Sequence, residues 1–596
     1  MNYERETPSG KKVHVSILPN SSHLESQNTL GQGMARAVQH QSGGDRKSTM
    51  VLNSHTDASF SGQESARASP YASDIAKAIN APIFHVSADD VEAVVFLGKL
   101  AADYRARFGK DCWVDMICYR KHGHNEMDQP FFTQPKMYEQ IEKKVAQSEL
   151  YVNRLLREGV VTREEVSEMQ ARVWGEMTKT YVHHSDVVNV VAGKLGVPQV
   201  PSQVHKSLKR ILQKRQQGLL EGQDIYWATA EALAMGSLCL EGHHVRVSGQ
   251  DVERGTFSQR HANANLHDQL TGSTYMPLND LSPEQAEFTI GNSSLSEYGV
   301  MGFDYGYSCL YPNALAMWEA QFGDFANNAQ CIIDQFISSA ENKWLMRSGI
   351  VLSLPRGFDG QGPEHSSARM ERFLQLCGED RRYFPTAHQL DRQHQDTNMQ
   401  VVYMTTPANL FHVLRRQEHR NFGKPLILLF SKSLLRHLSV NSNIEDFIGE
   451  SPFQPLLADP AHGSSIADPS EIKRVIYCSG QVYFTLHKYR ESHGITGTTI
   501  TRIEQLHPFP WEQVRDNLNQ YPNASDIVWC QEESLNDGPL SFAKTRMETI
   551  FDTVERHKGR RLRFAGREAT PSVATGFAKE HRKQEETLLK EAFHYS

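Results

Sequence analysis

The stretch that decides the fold runs from residue 247 to residue 344. It holds three polar-aromatic clusters: VSGQDVERGTFSQRHANANLHD (247–268), GNSSLSEYGVMGFDYGYS (291–308) and WEAQFGDFANNAQCIIDQFISSAENKW (318–344). Each follows or interrupts an apolar run. Ordinary core segments do not hold Asp, Glu, Arg, His and Gln at this density, because an unpaired buried polar group is costly. Polar groups gathered at the ends of expected strands and helices mark a site.

Working outward, short β-rich apolar runs recur at 50–53, 114–119, 349–354, 401–404, 426–430, 475–478, 500–503 and 527–529, with helical stretches between them. Strands alternating with helices give an α/β class. Several runs end in polar or glycine-bearing loops, where open parallel sheets place their ligands. Residues 150–220 read as mostly helical, with Thr162 and Glu165 spaced as a capping box. Residues 378–398 and 440–471 read as loops or linkers, and no short-period repeat is visible. The expected divisions are 1–149, 150–221, 222–439 and 440–596.

Composition sets bounds. A chain of 596 residues holds several domains with sizeable cores. Its net charge of -7, with no dominant basic stretch, argues against a nucleic-acid or membrane-surface protein. The eight cysteines are scattered without paired spacing, which suits reduced thiols rather than disulfides or a zinc site. No apolar run approaches a membrane span. The opening residues MNYERETPSGKK read as neither a secretory signal nor a mitochondrial transit peptide.

With the three clusters stand further ordered segments: LPNSSHLES, SPYASDIAKAINAPIFHVSADDVEAV, CYRKHGHNEMDQPFFTQPKMY, WATAEALAMGSL, GPEHSSARMERFLQLC, KPLILLFSKSLLRH, RIEQLHPFPW, WCQEE and AGREATPSVATGF. Together they resemble the thiamine-diphosphate-dependent first component of 2-oxoglutarate dehydrogenase and its sister, 2-oxoadipate dehydrogenase, along nearly the whole chain. The resemblance implies a transketolase-like fold with parallel sheets flanked by helices. It implies an incomplete diphosphate-binding domain (1–149), a helical connector (150–221), a pyrimidine-binding domain (222–439) and a C-terminal α/β domain (440–596). It also implies thiamine diphosphate and Mg²⁺ as cofactors, oxidative decarboxylation of a 2-oxo dicarboxylic acid, and acyl transfer to the lipoyl group of a second component. A homodimer in the mitochondrial matrix belongs to the same expectation. WATAEALAMGSL and GTFSQRHA lean toward the oxoadipate branch, SSLSEYGVMGF and GPEHSSARMERFLQLC toward the oxoglutarate branch. A generic transketolase-like enzyme fits the fold but not the detail of WEAQFGDF or RIEQLHPFP.

The resemblance also assigns residues. Glu297, in SLSEYGV, matches the glutamate that protonates the aminopyrimidine ring; by spacing alone it reads as a solvated helix-start glutamate. Phe322 and Phe325 match the aromatic face against that ring, though their i,i+3 spacing alone means core packing. His261 and His365 match histidines that bind the 2-oxo acid carboxylate or shuttle a proton. His124, in the HGH loop, matches a diphosphate contact; a metal cluster of His122, His124 and Glu126 is the competing reading and fits no zinc pattern. Asp57 matches the magnesium ligand. The GFDGQG run before His365 reads as a backbone-positioning turn, since it lacks the Lys-Ser/Thr of a phosphate loop. Glu532 and Glu533 end an expected strand and read as solvated carboxylates, with interface or regulatory groups as the alternative.

The chain departs from the family around magnesium. Thr56 stands where the family has Gly, and after Gln63 the chain passes directly to ESARASPY. The intervening family stretch, with its double Asn, is not found. Family members also have a long segment upstream of LPNSSHLES. Two functions therefore stand open: the decarboxylating enzyme, or an impaired paralogue or fragment acting only in dimerisation or complex assembly.

Overall fold

The computed structural model describes residues 2–6, 12–18, 23, 26–43, 49–53, 73, 76–77, 80–119, 135–144, 147–160, 205–260, 266–267, 274–437, 439–448, 451–460 and 464–594. The chain divides into two compact units, Met1–Gln27 with Leu52–Val182, and Asn28–Val51 with His183–Ser596.

In the first unit Asn2–Glu6 and Lys12–Ser16 pair antiparallel. The strands Ile83–Ser87 and Trp113–Ile117 pair in parallel around the crossover helix Val91–Phe108. The helix starts at Asp90, whose carboxylate accepts the Ala93 N–H at 3.0 Å. It stops at Gly109, in the left-handed region at φ 62°, where a side chain would be strained. This helix buries none of its side chains; Val95, Phe96 and Phe108 are exposed, as are Met116 and Ile117 on the neighbouring strand.

The second unit is built on two sheets. The larger runs, edge to edge, Gln505–His507, Gln400–Tyr403, Leu426–Ser431, Val351–Arg356, Ala314–Glu319, His244–Gly249 and Phe288–Asn292. All pairings are parallel except the first. Central strands of such a sheet are covered on both faces, hence the unbroken apolar run LILLFS, buried throughout. Pro355 lies inside a central strand without breaking it. Its neighbour Ala314–Glu319 pairs only as far as Ser353, so the missing N–H falls where that side has no ladder left. Helix Trp227–Leu240 buries every residue from Trp227 to Cys239, and its sequence is correspondingly apolar apart from Thr229, Glu231 and Ser237.

The smaller sheet runs Leu456–Leu457, Thr498–Ile503, Arg474–Cys478, Asp526–Ser534 and Arg563–Arg567, parallel apart from its first pair. The two sheets share a stretch of chain. Thr498–Ile503 belongs to the smaller, Gln505–His507 to the larger, and only Glu504 lies between. That carboxylate is buried and accepts hydrogen bonds from the Thr405 N–H (2.8 Å), the Thr405 hydroxyl (2.5 Å) and the Asn409 amide (3.1 Å).

Helix Ser26–Gln41 crosses helix Glu297–Leu310 at glycine-to-backbone distance. A Cβ on Gly33 would stand 1.8 Å from the Phe303 carbonyl oxygen, and one on Gly306 2.2 Å from that of Leu30. Only glycine permits this approach.

Several expectations need correction. Residues 50–53 form no strand; no ladder partner lies beside them among the described residues. Residues 378–398 are not only loop: Ala387–Asp396 is a helix begun by a capping box of Thr386 and Gln389. Within 150–220 the described helices are Gln147–Glu158 and Lys206–Glu221, while Thr162 and Glu165 lie outside the described residues. No described helix is long and apolar enough to cross a membrane.

Candidate active site

Glu297 is the first residue of helix Glu297–Leu310, after a Ser296 N-cap that makes no side-chain cap bond. A helix-start carboxylate gains from the macrodipole even in solvent, but this one is not in solvent. It is 8% exposed, and each oxygen has an amide donor: Gln250 Nε2 reaches Oε1 at 2.9 Å, and Asn328 Nδ2 reaches Oε2 at 3.1 Å. Gln250 directly follows the strand His244–Gly249, and Asn328 sits in the 3-10 helix Gly323–Ala329. Three elements thus converge on one carboxyl, at the carboxyl ends of parallel strands where such sheets open.

Phe325 lies in the same 3-10 helix as Asn328, and Phe322 caps it. The two rings meet edge to face at 5.7 Å. Phe322 also meets Phe257 at 5.6 Å and the His365 imidazole at 4.3 Å, both edge to face. One run of contacts therefore joins Glu297, through the Asn328 turn and the two phenylalanines, to His365.

His365 ends the short 3-10 helix Pro363–His365, reached from strand Val351–Arg356 through GFDGQG. The loop closes on itself where the Gly357 N–H meets the Ser366 carbonyl at 2.9 Å. Lys432 fills its centre. Its ammonium donates to the Gly357 carbonyl (3.1 Å), the Gln361 side chain (3.3 Å) and the His365 carbonyl, and it pairs with Asp359 at 3.4 Å. Burial pulls the Lys432 pKa down, with Asp359 acting against it. The loop is thus the positioning turn expected, with a buried cation holding both its ends.

Two buried ion-pair groups frame this region. Arg260 is 2% exposed and shared between Glu231 (Nη2 to Oε1, 2.6 Å) and Glu319 (Nη2 to Oε2, 2.5 Å). Arg356 reaches Glu532 at 3.1 Å and Glu533 more closely, and lies 4.7 Å from the Tyr403 ring centroid. Glu532 and Glu533 are therefore not solvated carboxylates; they are 7% and 3% exposed. Burial pushes the Glu532 carboxyl up, Arg356 pulls the other way, and Glu533 and Asp359 add to the rise. The smaller sheet ends against a cation from the larger one.

Of the residues assigned from sequence, Glu297, Phe322, Phe325 and His365 share this contact network. Asp57, His124 and His261 lie outside the described residues. Gln250, Phe257, Asn328 and Lys432 were not singled out. The first three lie in the polar-aromatic stretch, whose density was their only signal; Lys432 interrupts a polar end of an apolar strand run and gave none.

Three family models match the chain: "Dehydrogenase E1 component" over residues 50–184, "Transketolase, pyrimidine binding domain" over 223–437, and "2-oxoglutarate dehydrogenase C-terminal" over 441–593. Among curated relatives, "2-oxoglutarate dehydrogenase, mitochondrial" of Schizosaccharomyces pombe is 48% identical over 668 residues, covering 99% of this chain and 66% of that protein. Its namesake in Saccharomyces cerevisiae is 48% identical over 670 residues, covering 100% and 66%. "2-oxoglutarate dehydrogenase E1 component" of Brucella ovis is 42% identical over 668 residues, covering 98% and 64%. The chain thus spans just under two thirds of the length of these relatives. With 596 residues it also leaves at least 72 of the 668 positions aligned with the Schizosaccharomyces pombe protein without a residue of its own.

Proposed function

Since this chain belongs to the family of 2-oxoglutarate dehydrogenase first components, we propose that it acts in the thiamine-diphosphate-dependent oxidative decarboxylation of 2-oxoglutarate. The carbon–carbon bond to the substrate carboxylate breaks and carbon dioxide leaves. The former carbonyl carbon is oxidised as a lipoyl disulfide on a second component is reduced, taking the acyl group as a thioester on one sulfur and a proton on the other.

The observation that supports this reading is the buried Glu297 carboxyl with an amide on each oxygen. Its chemistry fits an aminopyrimidine: a carboxyl fixed by two neutral donors is free to hold or move a proton at a ring nitrogen. Phe322 and Phe325 supply apolar faces for a flat heteroaromatic, and thiamine diphosphate, when bound, supplies the electron sink for the cleavage. Gln250 and Asn328 keep the Glu297 carboxyl from rotating. His365, held by Phe322 and by Lys432 on its carbonyl, is our candidate for meeting the substrate carboxylate. Asp57 is assigned to Mg²⁺, His124 to the diphosphate and His261 to the substrate on the strength of their motifs. A homodimer and a lipoyl-bearing partner complete the proposal on the strength of the motifs, and the mitochondrial matrix is in keeping with the relatives' names.

A second reading is favoured by the alignment shortfall and by the exposed apolar side chains of helix Val91–Phe108 and strand Trp113–Ile117. On that reading the chain serves dimerisation or complex assembly without turnover. Calorimetric titration with thiamine diphosphate and Mg²⁺, beside a Glu297→Gln control, separates the two. Saturable magnesium-dependent binding, followed by carbon dioxide release from 2-oxoglutarate, supports the enzyme. Faster release from 2-oxoadipate would move the substrate to the sister branch, and absence of binding would leave the assembly module.

A further inference from the structure

His40, His244 and Glu287 have no part in the site above, yet one donor atom from each lies within 4.8 Å of the other two. They come from three elements: the end of helix Ser26–Gln41, the first residue of strand His244–Gly249, and the residue before the sheet-edge strand Phe288–Asn292. His40 Nδ1 is 3.7 Å from the Glu287 carboxylate, and the two imidazole centroids are 4.1 Å apart, tilted at 45°. His244 is 1% exposed. Its Nε2 lies 3.0 Å from the Thr289 hydroxyl, and its Nδ1 is buried without a hydrogen bond of good geometry, near the Glu287 backbone oxygen. The Tyr311 ring stacks on His244, parallel to within 4°, and fixes its plane.

The surroundings favour neutral imidazoles. Burial lowers the His244 pKa, with His40, Arg246 and Arg36 adding to it, down to about 3. Burial lowers His40 too, with Glu287 opposing and Arg36 and Arg246 assisting. Arg246 is itself engaged, 2.8 Å from Asp304 and over the Phe303 and Tyr307 rings. Neutral imidazole is the form that coordinates a metal ion.

We propose that His40, His244 and Glu287 form a divalent transition-metal site of the zinc class, which staples the end of helix Ser26–Gln41 to the edge of the larger sheet. Two imidazole nitrogens and a carboxylate suit zinc and leave a fourth position for water. Bonds of about 2.0–2.2 Å set tetrahedral donors roughly 3.4 Å apart, so the three donors draw together slightly on binding. The Glu287 side chain, 57% exposed, supplies the anionic donor and the ion's way in from solvent.

The test uses the full chain with zinc alone in calorimetry, and cobalt as a spectroscopic substitute. The expected result is one saturable site per chain, weakened roughly tenfold or more in His40→Gln and in Glu287→Gln. Cobalt should give ligand-field bands without thiolate charge transfer, and zinc should raise the melting temperature of the unmodified chain but not of the variants. His40 and Glu287 both reach solvent, at 18% and 57% exposure, so circular dichroism of the variants should match the parent. Absence of saturable uptake, equal affinity in both variants, or thiolate charge transfer from the eight cysteines would each overturn the proposal.

Discussion

Replacing Arg260 by methionine removes the cation shared by two buried carboxylates, Glu231 and Glu319. Arg260 gives two hydrogen bonds to Glu231, at 2.7 and 2.6 Å, and two to Glu319, at 2.8 and 2.5 Å. All three side chains are buried, so water cannot replace what is lost. Breaking a buried pair by deleting one partner costs about 3–5 kcal/mol, chiefly from the charge left behind. Here two carboxylates are left, and Glu319 retains the Ser353 hydroxyl at 3.1 Å. The expected loss for Arg260→Met is therefore about 5 kcal/mol, at the top of that range. Removing all three charges with Arg260→Met, Glu231→Gln and Glu319→Gln should return more than half of it, since an uncharged group of similar volume has little left to desolvate. Urea unfolding followed by tryptophan fluorescence, with hydrogen exchange in helix Trp227–Leu240 as a local probe, reads both numbers. A single variant within about 1 kcal/mol of the parent, or a triple variant no better than the single, would refute the reasoning.

Three further outcomes are expected. Lys432→Met should open the 357–366 loop, with faster exchange of the Gly357 amide, since each hydrogen bond from a charged donor is worth about 1.5–3 kcal/mol; unchanged exchange would show that the ammonium does not hold the loop. Gly306→Ala should free helix Ser26–Gln41 to limited proteolysis, because its Cβ would lie 2.2 Å from the Leu30 carbonyl oxygen; overpacking of this kind costs about 1–3 kcal/mol or more. Burial disfavours the Glu241 charge, but hydrogen bonds from His419 and Arg415 and their positive charges outweigh it and bring the carboxyl down to about 2. A depressed folded-state pKa gives stability that is present above the unfolded value of about 4.3 and lost as pH falls toward 2; the urea midpoints of parent and Glu241→Gln should thus converge on acidification, and a gap that widens would contradict the sign.

How much the sequence revealed depended on where each residue's partner lies. Leu426–Ser431 and Arg474–Cys478 were legible because central parallel strands advertise themselves as unbroken apolar runs. Helix Ala387–Asp396 was missed because it buries no side chain and so has no apolar period, although Thr386 and Gln389 were a readable start signal. Glu532 and Glu533 were misread because the cation that holds them, Arg356, stands 176 and 177 residues earlier. Glu297 was legible only as part of a motif. The amides that hold its carboxylate, Gln250 and Asn328, lie 47 and 31 positions away, and nothing local in their identity announces the meeting.

The single residue between Ile503 and Gln505 constrains how this sequence can be cut or recombined. Any truncation before Thr498 takes away Gln505–His507 and bares the backbone of Gln400–Tyr403 along one side, an open edge that invites pairing with other chains. It also removes the carboxyl to which Thr405 and Asn409 are tied. The C-terminal sheet is therefore no cassette to be exchanged between paralogues at will. A chimera joined there inherits one parent's seam against the other's sheet, and substitutions around 400–409 and 504–507 are tolerated best when they come in pairs.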